Sequence, residues 1–236
     1  MNYLLSALSQ LSPALLWLFF LLENALITLA VLWIGKIIHR KATGTATSYH
    51  YTSRDWQICI LTNILNTIVT YAGCWLWKNN WIIITTGFSW QIIPDFFLLF
   101  LGMDLLMFIF HYAIHKTFLY KTIHQLHHQS VDPRPVDLFI LHPVETICFG
   151  SLWLILLMVK AFNIYAVMIY LAVNVLFGMI GHLGIEPLPA RFRNMPLIKY
   201  IGTSTFHHDH HQDVAYNFGF YTSIWDRLLG THKRRH

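Results

Sequence analysis

The histidines of this chain recur at spacings that suit metal binding. The stretch KTIHQLHHQ, residues 121–129, contains the pattern His-x-x-His-His at His124, His127 and His128. The same spacing returns near the C-terminus, in TFHHDHHQ, at His207, His210 and His211. On a helix, His124 and His128 share a face, whereas neighbouring residues diverge by about 100°. One metal could take His124 and His128, and a second metal beside the helix could take His127, so the pattern suits two metals better than one.

Further histidines and one aspartate extend this set. Of 15 histidines, eleven lie between residues 111 and 211. His111 and His115 are four residues apart and share a helix face. Asp104 lies two turns before His111 on nearly the same stripe, and we expect a carboxylate buried there to contact a ligand histidine, the obvious partner, or another polar group inside the bundle. Of the single histidines, His182 has the right depth to join the others, whereas His142 is as readily structural as functional.

The imidazole ligands limit which metals the site could bind. Imidazole suits zinc, copper, iron and nickel. A structural zinc takes four ligands, and the nine well-placed histidines exceed that number and predict two metals. The Glu-x-x-His pairs of carboxylate-bridged di-iron bundles and the zincin motif His-Glu-x-x-His are both absent from the sequence.

The composition is that of a membrane protein. The 236 residues are 56% hydrophobic and only 11% charged, whereas soluble domains carry about 25% charged residues. The net charge of +5 comes from basic clusters in polar segments, which we interpret as topology signals and not as a nucleic-acid surface.

Several apolar runs are long enough to span a bilayer, which takes about 20 residues. They cover residues 12–38, 56–77 and 92–114, and a longer run over 144–182 is broken near Lys160 and Asn163 into two short or re-entrant spans. We therefore predict an all-α, polytopic membrane protein with about four or five transmembrane or re-entrant helices and a cytoplasmic histidine-rich cap. The predicted regions are an N-terminal transmembrane region, 1–95, and a catalytic region, 96–236.

Basic residues predict the orientation of the spans. Lysine and arginine concentrate in 39–55, 116–143 and 183–236, and the positive-inside rule places these segments on the cytoplasmic side. Both His-x-x-His-His copies lie on that side.

The order of these motifs resembles the fatty acid hydroxylase / sterol desaturase superfamily of integral-membrane, non-haem di-iron oxygenases. The order is His-x-x-x-His, His-x-x-His-His, a His-Pro plus acid, a histidine before Gly-x-Glu, and a final His-x-x-His-His. The ending YNFGFYTSIWDRLLGT, residues 216–231, is similar to the family's closing signature. The resemblance covers roughly residues 100–231.

By position, the resemblance implies a set of metal ligands: His111, His115, His124, His127, His128, His182, His207, His210 and His211. His208 is a possible further ligand, because it stands beside His207. The residues expected behind the ligands are Asp104, His142 and Asp209.

The resemblance also implies the chemistry, which is O₂-dependent hydroxylation or desaturation of a lipid C–H bond at two non-haem irons. The partners expected are a lipid substrate, the membrane and a separate electron donor of the cytochrome b5, ferredoxin or reductase type, with no nucleic acid. The location expected is a bacterial inner membrane or the endoplasmic reticulum. The aromatic and aliphatic residues deeper in the spans, Met107, Phe108, Phe177 and Met179, are candidate walls of an apolar passage to the metals.

Two other classes of protein remain alternatives. A histidine-rich membrane metal-binding or transport protein would spread its histidines along a path through the spans. A bis-histidine haem carrier would present one histidine from each of two facing helices at mid-membrane depth.

Overall fold

The computed structural model describes residues 2–45, 49–193 and 195–233. Residues 1, 46–48, 194 and 234–236 of the two predicted regions lie outside the described residues. The described chain is mainly helical, with α1 Asn2–Gln10, α2 Pro13–Thr43, α3 Ser53–Lys78, α4 Ile92–His115, α5 Leu119–Thr122, α6 Pro143–Leu157, α7 Ile164–Gly181, α8 Ala190–Arg193, α9 Ser204–Gln212 and α10 Ile224–Leu228. Short 3₁₀ helices cover His124–Gln129, Pro135–Phe139 and Ile198–Tyr200, and two short strands are β1 Ile84–Thr85 and β2 Phe162–Asn163.

Four helices, α2, α3, α4 and α7, are long and apolar enough to cross a membrane. The predicted all-α membrane fold is confirmed, and the protein is an integral membrane protein. The run over 144–182 divides as predicted into α6, of 15 residues, and α7, of 18 residues. The break includes Lys160 and Asn163, and Asn163 caps α7 by accepting a hydrogen bond from the backbone N–H of Tyr165.

Polar residues at helix ends define where the spans begin. Ser12 caps α2 ahead of Pro13, whose missing N–H costs nothing at the first helical position. Thr52 and Asp55 form a reciprocal capping box at the start of α3.

One end of the bundle is closed by the pairing of two loops. Strands β1 and β2 pair in parallel, with Ile84 beside Phe162. Asp95, near the start of α4, is buried and lies 2.5 Å from the Nζ of Lys160, and it also accepts the backbone N–H of Asn163 at 2.8 Å. This ion pair compensates the burial of a carboxylate at the end of a span.

The opposite end holds the elements that carry the nine histidines expected as ligands. It contains the end of α4, the 3₁₀ helix at 124–129, the end of α7, and α9, which packs on α7. The side chain of Arg134 joins Asp137, at 2.8 Å, to Asp55 at the start of α3, at 3.2 Å. That bridge fixes the connection between the 3₁₀ helix and α6 against the N-terminal spans.

Candidate metal centre

The nine histidines expected as ligands converge into two groups. The first group contains His111, His115, His124, His128 and His210. The second group contains His127, His182, His207 and His211. Within each group, one ring nitrogen from every member lies within 4.8 Å of the others. The groups are adjacent, since the ring centroids of His128 and His211 are 4.6 Å apart.

Each His-x-x-His-His motif divides between the two groups. In the first motif, His124 and His128 join the five-histidine group and His127 joins the four-histidine group. In the second motif the middle histidine, His210, joins the five-histidine group, and His207 and His211 join the four-histidine group. The first motif lies on a 3₁₀ helix and not on the α-helix assumed from its spacing, but His127 still lies in a different group from His124 and His128.

Backbone carbonyls fix the tautomers of several rings. The Nδ1 atoms of His111 and His210 lie 2.8 and 2.6 Å from the carbonyl oxygens of Phe218 and Tyr216. His182 and His211 have the same relation to the carbonyls of Gly178, at 2.8 Å, and Ser130, at 2.9 Å. Because a carbonyl only accepts, each Nδ1 carries the proton and each Nε2 presents a lone pair.

Those lone pairs face one another. In the first group, the Nε2 of His111 lies 3.0 Å from that of His124 and 3.1 Å from that of His210. In the second group, the Nε2 of His207 lies 3.3 Å from that of His182 and 3.1 Å from that of His211. Nitrogens that share one ion through bonds of about 2.1 Å must lie about 3 Å apart. Lone pairs packed this closely repel without a cation between them, so the donor set fits one metal ion in each group.

Burial keeps these rings neutral. Burial, with a smaller contribution from the neighbouring His182, lowers the pKa of His211 from its usual 6.5 to about 3. Burial likewise holds the pKa of His207 and His127 well below 6.5, with further lowering by His182 and His211. Neutral imidazole is the form that binds a metal, so the environment prepares the ligands without deprotonation at neutral pH.

A carboxylate that our ligand assignment did not include lies behind one of the rings. Glu145 Oε1 is 2.6 Å from the Nδ1 of His124, and both side chains are almost fully buried. The sequence shows this acid in a His-Pro-x-Glu stretch, but neither its spacing nor its type indicates which histidine it contacts. It comes close because α6 starts at Pro143, beside the 3₁₀ helix that carries His124.

Asp104 has its polar partners in the C-terminal segment and not on a histidine. Its carboxylate accepts the backbone N–H groups of Tyr221 and Thr222, each at 3.0 Å, and the indole N–H of Trp225 at 3.0 Å. The hydroxyl of Thr222 also donates to it, at 2.5 Å. These donors would otherwise be buried without acceptors, which explains why the carboxylate turns to them and away from the ring of a histidine.

Asp226 organises the same segment from the other side. It accepts the backbone N–H groups of Phe218, at 2.8 Å, and Gly219, at 2.7 Å. The two aspartates therefore fold residues 216–226 so that the carbonyls of Tyr216 and Phe218 face His210 and His111. Residues 216–231, which resemble the closing signature of the family, therefore supply the carbonyl acceptors that orient the rings of His111 and His210.

The remaining candidates lie outside both groups. His142 caps α6, where its Nδ1 accepts the backbone N–H of Val144 at 3.3 Å. His208 is half-buried, and its Nε2 lies 2.9 Å from Asp132. Asp209 lies on α9 between the buried histidines and belongs to neither group. A role for His142 or Asp209 behind the ligands stays a prediction.

An apolar cavity of about 1000 Å³ ends on the histidines. Members of both groups line it: His111, His124, His127, His182 and His207. Its other walls come from all four spans and from α6, and it extends to Leu5 and Leu8 of α1.

Half of the predicted passage walls are correct. Met107 and Met179 line the cavity. Phe108 instead stacks on Tyr112 and contacts Phe218 edge-on, and Phe177 packs on Phe100 and Tyr221. These two rings pack inside the bundle, because they lie on faces of α4 and α7 that point away from the cavity.

The sequence of the chain matches a known protein family. The sequence model of the fatty acid hydroxylase family matches residues 96–231, which is more than half of the chain. The chain belongs to this family. It therefore lies in the fatty acid hydroxylase / sterol desaturase superfamily, and the resemblance inferred over roughly residues 100–231 is confirmed.

Relatives of this member of the fatty acid hydroxylase family include proteins named for different reactions. Lathosterol oxidase of Rattus norvegicus is 34% identical over 133 residues, which are 55% of this chain and 42% of the relative. Methylsterol monooxygenase 1 of Gallus gallus is 24% identical over 152 residues, which are 61% of this chain and 50% of the relative. Very-long-chain aldehyde decarbonylase GL1-7 of Oryza sativa subsp. japonica is 27% identical over 185 residues, which are 71% of this chain and 28% of the relative.

The chain spans half or less of the length of these relatives. No solved structure matches it.

Proposed function

We propose that this protein is a membrane oxidoreductase that oxidises a lipid C–H bond with O₂ at two non-haem irons held by the nine histidines. The observation that carries the proposal is the position of the two histidine groups at the inner end of an apolar cavity among the spans. The family and the sterol-oxidising names of several relatives support a lipid as the substrate.

The nine histidines would hold the metals. The first iron would be held by the group His111, His115, His124, His128 and His210, and the second by His127, His182, His207 and His211. When bound, irons in such sites supply the activation of O₂ that an unactivated C–H bond requires.

The protein's own residues position the reaction. Carbonyl groups hold the Nδ1 protons of His111 and His182, and Glu145 holds that of His124, so that the Nε2 atoms of these rings stay free. The apolar walls of the cavity bind the hydrocarbon and exclude water, which protects reactive species from side reactions. Met107 and Met179, which line the cavity near His111 and His182, would place the reacting carbon.

Electrons would come from a separate donor of the cytochrome b5, ferredoxin or reductase type. We place the histidine end of the bundle on the cytoplasmic side of a bacterial inner membrane or of the endoplasmic reticulum. The basic residues of segments 39–55, 116–143 and 183–236 support this orientation.

The principal alternative is a histidine-rich membrane metal-binding or transport protein. Such a protein requires ligands along a path across the membrane, whereas the nine histidines gather at one end of the bundle. A haem carrier needs two facing histidines with room for a macrocycle, whereas these ring nitrogens lie about 3 Å from one another.

Metal analysis combined with lipid analysis tests the proposal. We expect purified protein to contain about two irons per chain and no Soret band. Lipid extracts from cells with and without the gene, compared by mass spectrometry, should differ by products whose formation requires O₂. A Soret band, or two irons without any O₂-dependent lipid product, would overturn the proposal.

The histidines provide a matched pair of variants for this experiment. His182→Ala removes a member of the four-histidine group, and we expect about one iron per chain to be lost together with activity. His208→Ala removes a half-buried imidazole outside both groups, and it should retain both irons. Equal loss of iron in the two variants would contradict the assignment of ligands.

A further inference from the structure

A chain of hydrogen bonds in the cavity wall ends on an asparagine. The hydroxyl groups of Tyr170 and Tyr221 lie 2.8 Å apart, and Tyr221 donates to the Oδ1 of Asn174 at 2.6 Å. Because Tyr221 has a single hydroxyl proton and gives it to Asn174, Tyr170 must donate to Tyr221. Both tyrosines are almost completely buried, so the carbonyl oxygen of Asn174 is held in a fixed direction.

The other half of this amide has no hydrogen-bond partner among the described residues. Asn174 lies on α7 and lines the cavity, as does Tyr170. Its NH₂ group makes no hydrogen bond with any residue in the part of the chain that the structure describes. A polar group left without a partner at membrane depth costs free energy, and such groups in spans commonly mark the path of a substrate.

The depth of the amide relates it to the histidines. Asn174 precedes His182 by eight residues, which is about 12 Å along the axis of α7. The indole of Trp153, which also lines the cavity, stacks on Tyr170 at 4.7 Å between ring centroids. The amide is therefore a polar point in a largely apolar wall, separated from the metal centre by about two helical turns.

We propose that the NH₂ group of Asn174 donates a hydrogen bond to an oxygen of the bound lipid. The substrate class is then a lipid that carries a hydroxyl or carbonyl oxygen, oxidised at a carbon remote from that oxygen. This inference rests on the proposed function for the oxidation step, but the binding step can be tested without turnover. Pockets of this kind are mostly apolar, and a few placed polar groups set the orientation of the ligand.

Matched pairs of lipids test the donor. The probes are octadecan-1-ol against n-octadecane, and a 3-hydroxysterol against the same sterane without its hydroxyl group. Binding of each probe to the purified, iron-loaded full chain is measured by titration with native mass spectrometry. A single net hydrogen bond corresponds to a preference of about fivefold to tenfold for the oxygen-bearing member of a pair.

The variants separate Asn174 from other polar groups of the cavity. Asn174→Leu keeps the size of the side chain and should abolish the preference. Asn66→Leu is the control, because Asn66 also lines the cavity, from α3, but is not hydrogen-bonded to the tyrosine chain. If Asn174→Leu does not fold, Asn174→Gln moves the NH₂ group by one methylene and should reduce the preference by at least half.

The outcomes are distinct. A preference in either pair that disappears in Asn174→Leu and persists in Asn66→Leu supports the proposal, and the pair that shows it identifies a chain or a ring skeleton. No preference in either pair, or equal loss in both variants, overturns it. Iron content and O₂-dependent product are measured on the same samples, so a failure of the oxygenase proposal is recognised separately from a failure at Asn174.

Discussion

His124 and Glu145 are joined by a hydrogen bond of 2.6 Å between Nδ1 and Oε1, from a 3₁₀ helix to the first turn of α6. Among the described residues, His124 is the one ligand candidate whose Nδ1 contacts a carboxylate. The Nδ1 atoms of His111 and His210, in the same group, contact backbone carbonyls. A carboxylate behind a ligand imidazole fixes its orientation and makes it a stronger donor to the metal. The pair therefore links α6 directly to the five-histidine group.

Glu145→Gln should weaken this support without removing it. The amide oxygen can still accept the Nδ1 proton, but it lacks the charge that strengthens the bond. We expect iron affinity to fall by about 10-fold to 100-fold, and Glu145→Leu to lose more. Competition with a chelator, followed by metal analysis, measures the change.

The control for Glu145 is His142→Asn. Asparagine is itself a good N-cap, so the cap of α6 should be preserved while the imidazole is lost. Iron affinity should stay within about twofold of the parent. A fall as large as that of Glu145→Gln would show that the start of α6, and not the carboxylate, supports His124.

Asp104→Asn should release iron although Asp104 bonds no histidine in the described structure. An amide in its place would direct its NH₂ group at donors such as the indole N–H of Trp225, and the unsatisfied contact costs about 1–3 kcal/mol. The loosened segment would then withdraw the carbonyl of Phe218 from His111. We expect fewer irons per chain and faster hydrogen exchange over residues 216–226.

Trp225→Phe is the matched control for that change. It deletes one donor and leaves the other hydrogen bonds to Asp104 in place. Iron content should be nearly unchanged. If Asp104→Asn retained both irons with unchanged exchange, the carboxylate would matter for the fold alone.

The sequence indicated which histidines form the candidate site better than it indicated which residues hold those histidines in place. The spacing of the histidines and the break near Lys160 depend on local periodicity, which a sequence displays directly. The partners of Asp104 and Glu145 depend on which distant element packs beside each carboxylate, and the sequence does not show this. The position of Asp104 on the helix face of His111 made a histidine its obvious partner. Depth along the helix predicts Phe108 and Phe177 as walls of the passage, but depth does not give the direction in which a side chain points around the helix. Packing against Phe218 and Phe100 turns the two rings away from the cavity.

Acid should remove the metals and destabilise the protein together. The pKa of His211 is about 3 in the folded protein against about 6.5 in the unfolded chain. Below about pH 6.5 the unfolded chain binds protons that the folded protein does not, so stability present above that pH is lost progressively as the pH falls. Protons also compete with metal for the same nitrogens.

We therefore expect iron per chain and the thermal midpoint in detergent to be constant around about pH 7.5 and above, and to fall together as the pH is lowered to about 5.5. His208→Ala should leave this profile unchanged, because His208 belongs to neither group. Iron retained in full at the acid end would contradict a centre built only from imidazoles.

Met107→Trp should block the cavity while both irons stay bound. Met107 lies one turn before His111 on α4 and lines the cavity, so a larger ring there occupies the space that a lipid chain needs next to the metals. Ile109→Trp is the control, because Ile109 lies on the same turn of α4 but is 53% exposed on the outer surface of the bundle. We expect Met107→Trp to retain iron and lose oxidation of long-chain lipids by at least about tenfold, and Ile109→Trp to retain both. Undiminished turnover in Met107→Trp would mean that the substrate reaches the histidines by another route, and the lipid-binding role of this cavity would have to be abandoned.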